Sequence, residues 1–229
     1  MDVSSFIIQN KEVFKLVYAF IVILACFLIV LKTHKLFRIS LHRGIRYFRN
    51  AFFFYGIAFA IRYFLSFFLS FDKAFIEYGF LINLLFEYFL IMAGFVLLYS
   101  LLWRKIDFPR KKEVSSLFNA RMFIFYLLAL IIVILDYLWG GYYFMFFSQI
   151  LVFISATIIS YSNYRKNKGK VYFPQFYLIA MILSLVAWGL NALAGLYFHW
   201  HQGIMINIYL FNIVFFLIFL YGVVKATKI

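Results

Sequence analysis

Apolar residues run through this 229-residue chain in seven long stretches, and charged positions gather in the gaps between them. A helix that crosses a bilayer needs roughly 20 mostly apolar residues, and each stretch comes close to or exceeds that length. The pattern predicts helices over residues 13–31, 47–71, 74–103, 117–139, 142–161, 174–198 and 204–224. The third is longer than one crossing requires and is expected to tilt or protrude. Between the fourth and fifth stretches the only break is Gly140-Gly141. A single helix from Met122 to Ser160 would be too long for one crossing, so the glycine pair is expected to turn the chain. The fold class that follows is all-α: a polytopic membrane protein, one seven-transmembrane-helix bundle over residues 1–229.

The gaps alternate in charge. Lys32, Lys35, Arg38, Arg43, Arg46 and Arg49 lie between the first and second stretches, and Arg104, Lys105, Arg110, Lys111, Lys112 and Arg121 after the third. Arg165, Lys166, Lys168 and Lys170 follow the fifth, and Lys225 and Lys228 end the chain, so 18 of the 22 Lys and Arg share one side. The other side has Lys11, Lys15 and Lys73. Cytoplasmic loops hold the excess of Lys and Arg, which places the N-terminus outside and the C-terminus inside a multi-pass protein of the cell membrane. The stretch from His34 to Arg43 mixes basic and apolar residues and is expected either to lie on the membrane surface as a short amphipathic helix or to be an ordinary basic loop.

Composition narrows the function classes. The chain is 67% hydrophobic, with a mean hydropathy of +0.97, far from soluble domains. Seven crossings use nearly all of it, leaving no room for a soluble catalytic or DNA-binding domain. The net charge of +14 is explained by membrane orientation rather than by nucleic acid as a partner. The partners expected are the lipid bilayer and a membrane or cytoplasmic protein. The first stretch is read as a retained helix, since it is too long for a typical signal-peptide core. Cys26, the single cysteine, is expected to be a buried helix residue.

Chemistry-bearing residues are few. Ionisable groups inside a membrane helix are costly and usually face the bundle interior; Arg62, Glu87 and Asp136 are the three here. Counting depth at 1.5 Å per residue, Arg62 and Glu87 are expected to pair, with Asp136 near the outer interface, within reach of Arg62 or hydrated. Helical spacing aligns Tyr55, Arg62, Ser66 and Ser70; Asn83, Glu87 and Gly94; and Ser184, Trp188, Asn191, Gly195 and His199. With Gln149, Asn207 and Asn212 these stripes predict a polar chamber in the outer half, its candidate binding residues being Arg62, Asn83, Glu87, Asp136, Trp188 and Asn191. The same stripes also suit plain helix association. His199 and His201, with Asp72 and Glu77, are read as interfacial residues rather than a metal site, because their spacing is not a helical chelate.

A retinal Schiff base would need a lysine midway along 204–224, and none is there. The helices carry no internal proline hinge, and no hydrolase, metalloprotease or phosphate-binding motif occurs. No cofactor or catalytic residue is therefore expected. The function expected is that of a receptor-like or sensor-like module binding a small or apolar ligand and acting through partner proteins. The alternatives are a small-solute transporter and a lipid-modifying enzyme.

Overall fold

The computed structural model describes residues 11–40, 43–65, 75–106, 120–166, 173–198 and 202–227. Helix α1 spans Lys11–Ser40 and α2 spans Arg43–Phe59, continuing as a π-helix over Ala60–Leu65. Then come α3 (Phe75–Ile106), α4 (Ala120–Trp139), α5 (Tyr143–Lys166), α6 (Phe173–Leu196) and α7 (Gln202–Thr227). All but α2 contain a segment long and apolar enough to cross a membrane, which is six helices. Helices suit this environment because lipid offers backbone N–H and C=O groups no partner, and an α-helix satisfies them internally.

Two elements differ most from the sequence expectation. Helix α1 does not stop at residue 31; it runs on through the basic stretch to Ser40, so His34–Ser40 is not a separate surface helix. Nothing in that stretch breaks a helix, since it lacks both glycine and proline. Helix α2 widens at Ala60 into a π-helix, where hydrogen bonds run i to i+5. That break leaves it outside the set of six, although α2 is deeply enclosed, with Phe48, Ala51, Phe52, Tyr55 and Ala58 all buried.

Ring contacts fix the direction of each helix. Tyr18 of α1 meets Phe59 and Tyr63 at the far end of α2, and Tyr47 at the start of α2 meets Tyr99 near the end of α3. Phe80 and Phe95 of α3 meet Tyr137 and Phe125 of α4 respectively. Neighbours in sequence are therefore antiparallel. α7 returns beside α1 in the same direction, with Tyr209 stacked on Tyr18 at 4.4 Å. α3 packs directly on α5, so α4 lies outside the ring, touching α3 and α5. Its outward residues, among them Phe123, Ile124, Leu127 and Ile131, are exposed. Between α2 and α7 the centre is filled by Phe48, Phe52, Phe216 and Phe219, whose rings meet across the two helices at 5.0–6.3 Å.

The α4–α5 connection is the tightest in the molecule among the described residues. Gly140 has φ +67, the left-handed conformation in which glycine avoids the steric cost of a Cβ. Its N–H donates to the Tyr137 carbonyl at 3.3 Å, and Gly141 N–H donates to that of Asp136 at 3.1 Å. This pair of bonds is a Schellman motif, and the expected glycine turn is present. The alternating directions gather the C-terminal ends of α1, α3 and α5 at one end of the bundle, called the basic end for the Lys and Arg these helix ends carry, and the α4–α5 turn at the opposite end.

Candidate functional site

Asp136 belongs to α4 but acts on α5. Its Oδ1 accepts from the Phe144 N–H at 2.8 Å and its Oδ2 from the Met145 N–H at 2.7 Å. These are first-turn donors that no intrahelical carbonyl can reach, and a carboxylate is favoured at this positive end of the helix. The backbone of Asp136 ends one helix while its carboxylate begins the next. The residue is 2% exposed, so it is a buried cap rather than a hydrated interfacial acid, a correction to the sequence reading.

Glu87, 3% exposed, lies beside Asp136. Two carboxyl groups can share a hydrogen bond only when one of them carries a proton. Both Asp136 oxygens already accept backbone N–H groups, and Glu87 Oε1 has no partner. Two turns further along α3, Gly94 receives the side chain of Gln149 from α5, whose amide carbon and nitrogen would stand 3.0 Å from a Cβ there. Gln149 is fully enclosed, at 0% exposure, and neither amide atom has a hydrogen-bond partner. Buried polar atoms are almost always satisfied, which makes this amide unusual. One turn beyond Gln149, Phe153 stacks on Trp188 of α6. The Trp188 indole faces the buried Tyr55 hydroxyl without a well-formed hydrogen bond to it.

Arg62 does not join this group. Its guanidinium lies over the Phe86 ring, 4.4 Å from the centroid, and next to the Tyr63 side chain. Among the described residues no carboxylate forms an ion pair with it, and Glu87 lies beside Asp136 instead. The expected Arg62–Glu87 pair is absent because the π-helical turn advances fewer degrees per residue than an α-helix, which rotates Arg62 off the Tyr55 stripe. Phe86, next to Glu87 in sequence, takes the guanidinium instead through a cation–π contact.

A second polar group surrounds Arg62. Tyr18, 4% exposed, accepts from Asn212 Nδ2 at 3.3 Å, and Asn212 Oδ1 accepts from Asn191 Nδ2 at 3.4 Å. Asn191 Nδ2 also donates to the Ala187 carbonyl at 2.7 Å. Tyr63 lies beside Tyr209, and the Tyr18 ring lies 5.7 Å from that of Tyr63. This group spans α1, the π-helix, α6 and α7, and holds three tyrosine hydroxyls, two amides and one guanidinium.

The six candidate residues therefore divide. Glu87 and Asp136 meet; Asn191 and Arg62 lie in the tyrosine group; Trp188 lies between α2 and α5; and Asn83 is exposed on the outer face of α3, away from all of them. Ser184 is buried and donates to the Ala180 carbonyl of its own helix. Cys26 is buried. Ser66, Ser70, Asp72, His199 and His201, and the side chains of Glu77 and Asn207, lie outside the described residues. Tyr18, Tyr63 and Tyr209 were missed from sequence, because among 18 tyrosines nothing separates a network member from an interfacial anchor.

The absence of an Arg62–Glu87 bond carries a prediction. Arg62→Gln and Glu87→Gln, measured singly and together by unfolding in a defined detergent, should be additive within about 0.5 kcal/mol. Breaking a buried ion pair would instead cost roughly 3–5 kcal/mol in each single variant, and the double variant would recover much of it.

Compared with known protein families, with curated proteins and with solved structures, the chain matches none.

Proposed function

We propose that this multi-pass membrane protein is a receptor-like or sensor-like module. In this reading the tyrosine group around Arg62 recognises a small amphipathic ligand bearing an acidic group, and the bundle acts through partner proteins. The N-terminus faces outside and the basic end faces the cytoplasm, by the distribution of Lys and Arg. What carries the reading is Arg62: a guanidinium in an apolar bundle, on a π-helical turn, with an aromatic face and tyrosine hydroxyls around it and no carboxylate bonded to it among the described residues. π-helical turns are frequent at functional sites. A carboxylate or phosphate would supply the charge that Arg62 lacks, and the surrounding rings would take an apolar body.

The test is ligand-dependent thermal stabilisation of the purified protein by a panel of fatty acids, aromatic carboxylates and alkyl phosphates, each against its uncharged alcohol. Acidic members should raise the melting temperature, and Arg62→Gln should weaken binding about tenfold or more. Asn83→Ala, on the exposed face, should leave it unchanged. Equal responses in wild type and Arg62→Gln would count against the reading.

A second reading, a proton-coupled carrier of small solutes, has its own support in the Glu87–Asp136 contact and the orphaned Gln149 amide beside it. Reconstituted sealed vesicles separate the two. Solute uptake driven by a pH gradient and lost in Glu87→Gln favours the carrier; ligand binding without flux favours the receptor-like module.

A further inference from the structure

At the basic end, α1 and α2 bring two guanidinium groups onto one aromatic ring. Arg46 and Arg49, one turn apart on α2, stand 5.7 Å and 5.9 Å from the centroid of Phe37 on α1. Arg49 Nη1 donates to His34 Nδ1 at 2.8 Å and Nη2 donates to Asn50 Oδ1 at 3.3 Å. Arginine cannot accept a hydrogen bond, so His34 is neutral in this contact and adds no charge. The contact fixes the fork of Arg49 while engaging only two of its five N–H donors. Phe37, Arg46 and Arg49 are half-buried, which strengthens their electrostatics over those of a fully hydrated surface cation.

Two like charges are thus held together where the chain has few acids to balance them. Along the sequence, only two of the eight acidic residues, Asp107 and Glu113, fall among the basic stretches that hold 18 of the 22 Lys and Arg. The depth is also telling. α1, at thirty residues, is about 45 Å long, against about 30 Å of hydrocarbon, so its last turns, with His34 and Phe37, reach the headgroup layer. The geometry points to a phospholipid site: Arg46 and Arg49, ordered by Phe37 and His34, bind the phosphate of an anionic lipid, whose acyl chains lie along the apolar surface of α1. Guanidinium forks match phosphate geometry, and basic clefts between membrane helices hold acidic headgroups in this way.

The experiment is native mass spectrometry of the full chain, released from detergent micelles and titrated with phosphatidylglycerol or phosphatidylcholine of identical acyl chains. Wild type should bind phosphatidylglycerol about 25-fold more tightly, at about fivefold per guanidinium. Arg46→Gln/Arg49→Gln should abolish that preference, while Lys35→Gln/Arg38→Gln, which removes exposed cations from the same end of α1, should change it less than twofold. An undiminished preference in the Arg46/Arg49 variant overturns the site, and an equal loss in the Lys35/Arg38 variant reduces it to diffuse surface attraction. Should the Arg46/Arg49 variant fail to fold, wild type alone decides: no preference between the two lipids overturns the proposal. Displacement of phosphatidylglycerol by millimolar inorganic phosphate overturns the lipid as its occupant, whereas resistance to phosphate supports it.

Discussion

Asp136→Ala is expected to destabilise the bundle by about 3–5 kcal/mol, since it removes two charge-assisted hydrogen bonds at once. Each is short, at 2.8 and 2.7 Å, and the donors it would orphan are backbone N–H groups that no other residue of α5 can satisfy. An exposed cap typically contributes about 1 kcal/mol because water replaces it; here the residue is 2% exposed and water has little access. Asp136→Asn keeps one acceptor and should cost about 1–2 kcal/mol. Glu87 supplies an internal control. If it is the donor to Asp136, Glu87→Gln preserves an N–H toward the carboxylate and should lie within about 0.5 kcal/mol of wild type, whereas Glu87→Ala removes the donor and should cost about 1–3 kcal/mol. Reversible unfolding in a mixed detergent series reads all four. Should Glu87→Gln prove as damaging as Asp136→Ala, the hydrogen-bond assignment between the two carboxyl groups is wrong.

Gly94→Ala carries the second large expectation, and its sign is informative. Alanine is the better helix former by roughly 1 kcal/mol, so an unobstructed site should gain. At Gly94 the new methyl would meet the Gln149 amide, at 3.0 Å from two of its atoms and nearer still to Oε1. A flexible side chain on a surface would swing aside; Gln149 is wholly buried and has nowhere to go without displacing packed neighbours. The expected net cost is about 1–3 kcal/mol, as for other overpacked interiors. Gly79→Ala, in the same helix with nothing within 4 Å of the new Cβ, should be neutral or stabilising. Gly94→Ala/Gln149→Ala should recover most of the loss, and a strictly additive double variant would show that the amide is not what limits position 94.

The division into seven helices was legible because it depends on sums along the sequence, although the six segments long and apolar enough to cross a membrane omit α2. Apolar content over about 20 residues decides whether a segment prefers lipid, and no neighbour can change that. The Gly140-Gly141 turn was legible for a similar reason, since a 39-residue run from Met122 to Ser160 cannot cross once. The candidate site was legible only as a set of residue types. Glu87, Asp136, Arg62 and Asn191 are indeed half-buried or buried, but Asn83, on the same counted stripe as Glu87, points outward. A stripe counted at 100° per residue is too coarse to say which neighbour each member meets.

Position along the chain therefore determined the apolar segments, the side on which the cations collect and the residues costly enough to need a partner, since each of these is a property of composition and local spacing. Tertiary structure alone decided the partners: that Asp136 caps α5, that Glu87 meets it, that Arg62 rests on Phe86, and that Tyr18 links to Asn212 across 194 positions. The physical reason is rotation about the helix axis. The phase at which each helix faces its neighbours is set by packing and, in α2, by a π-helical turn, and a shift of a few tens of degrees exchanges one side-chain partner for another.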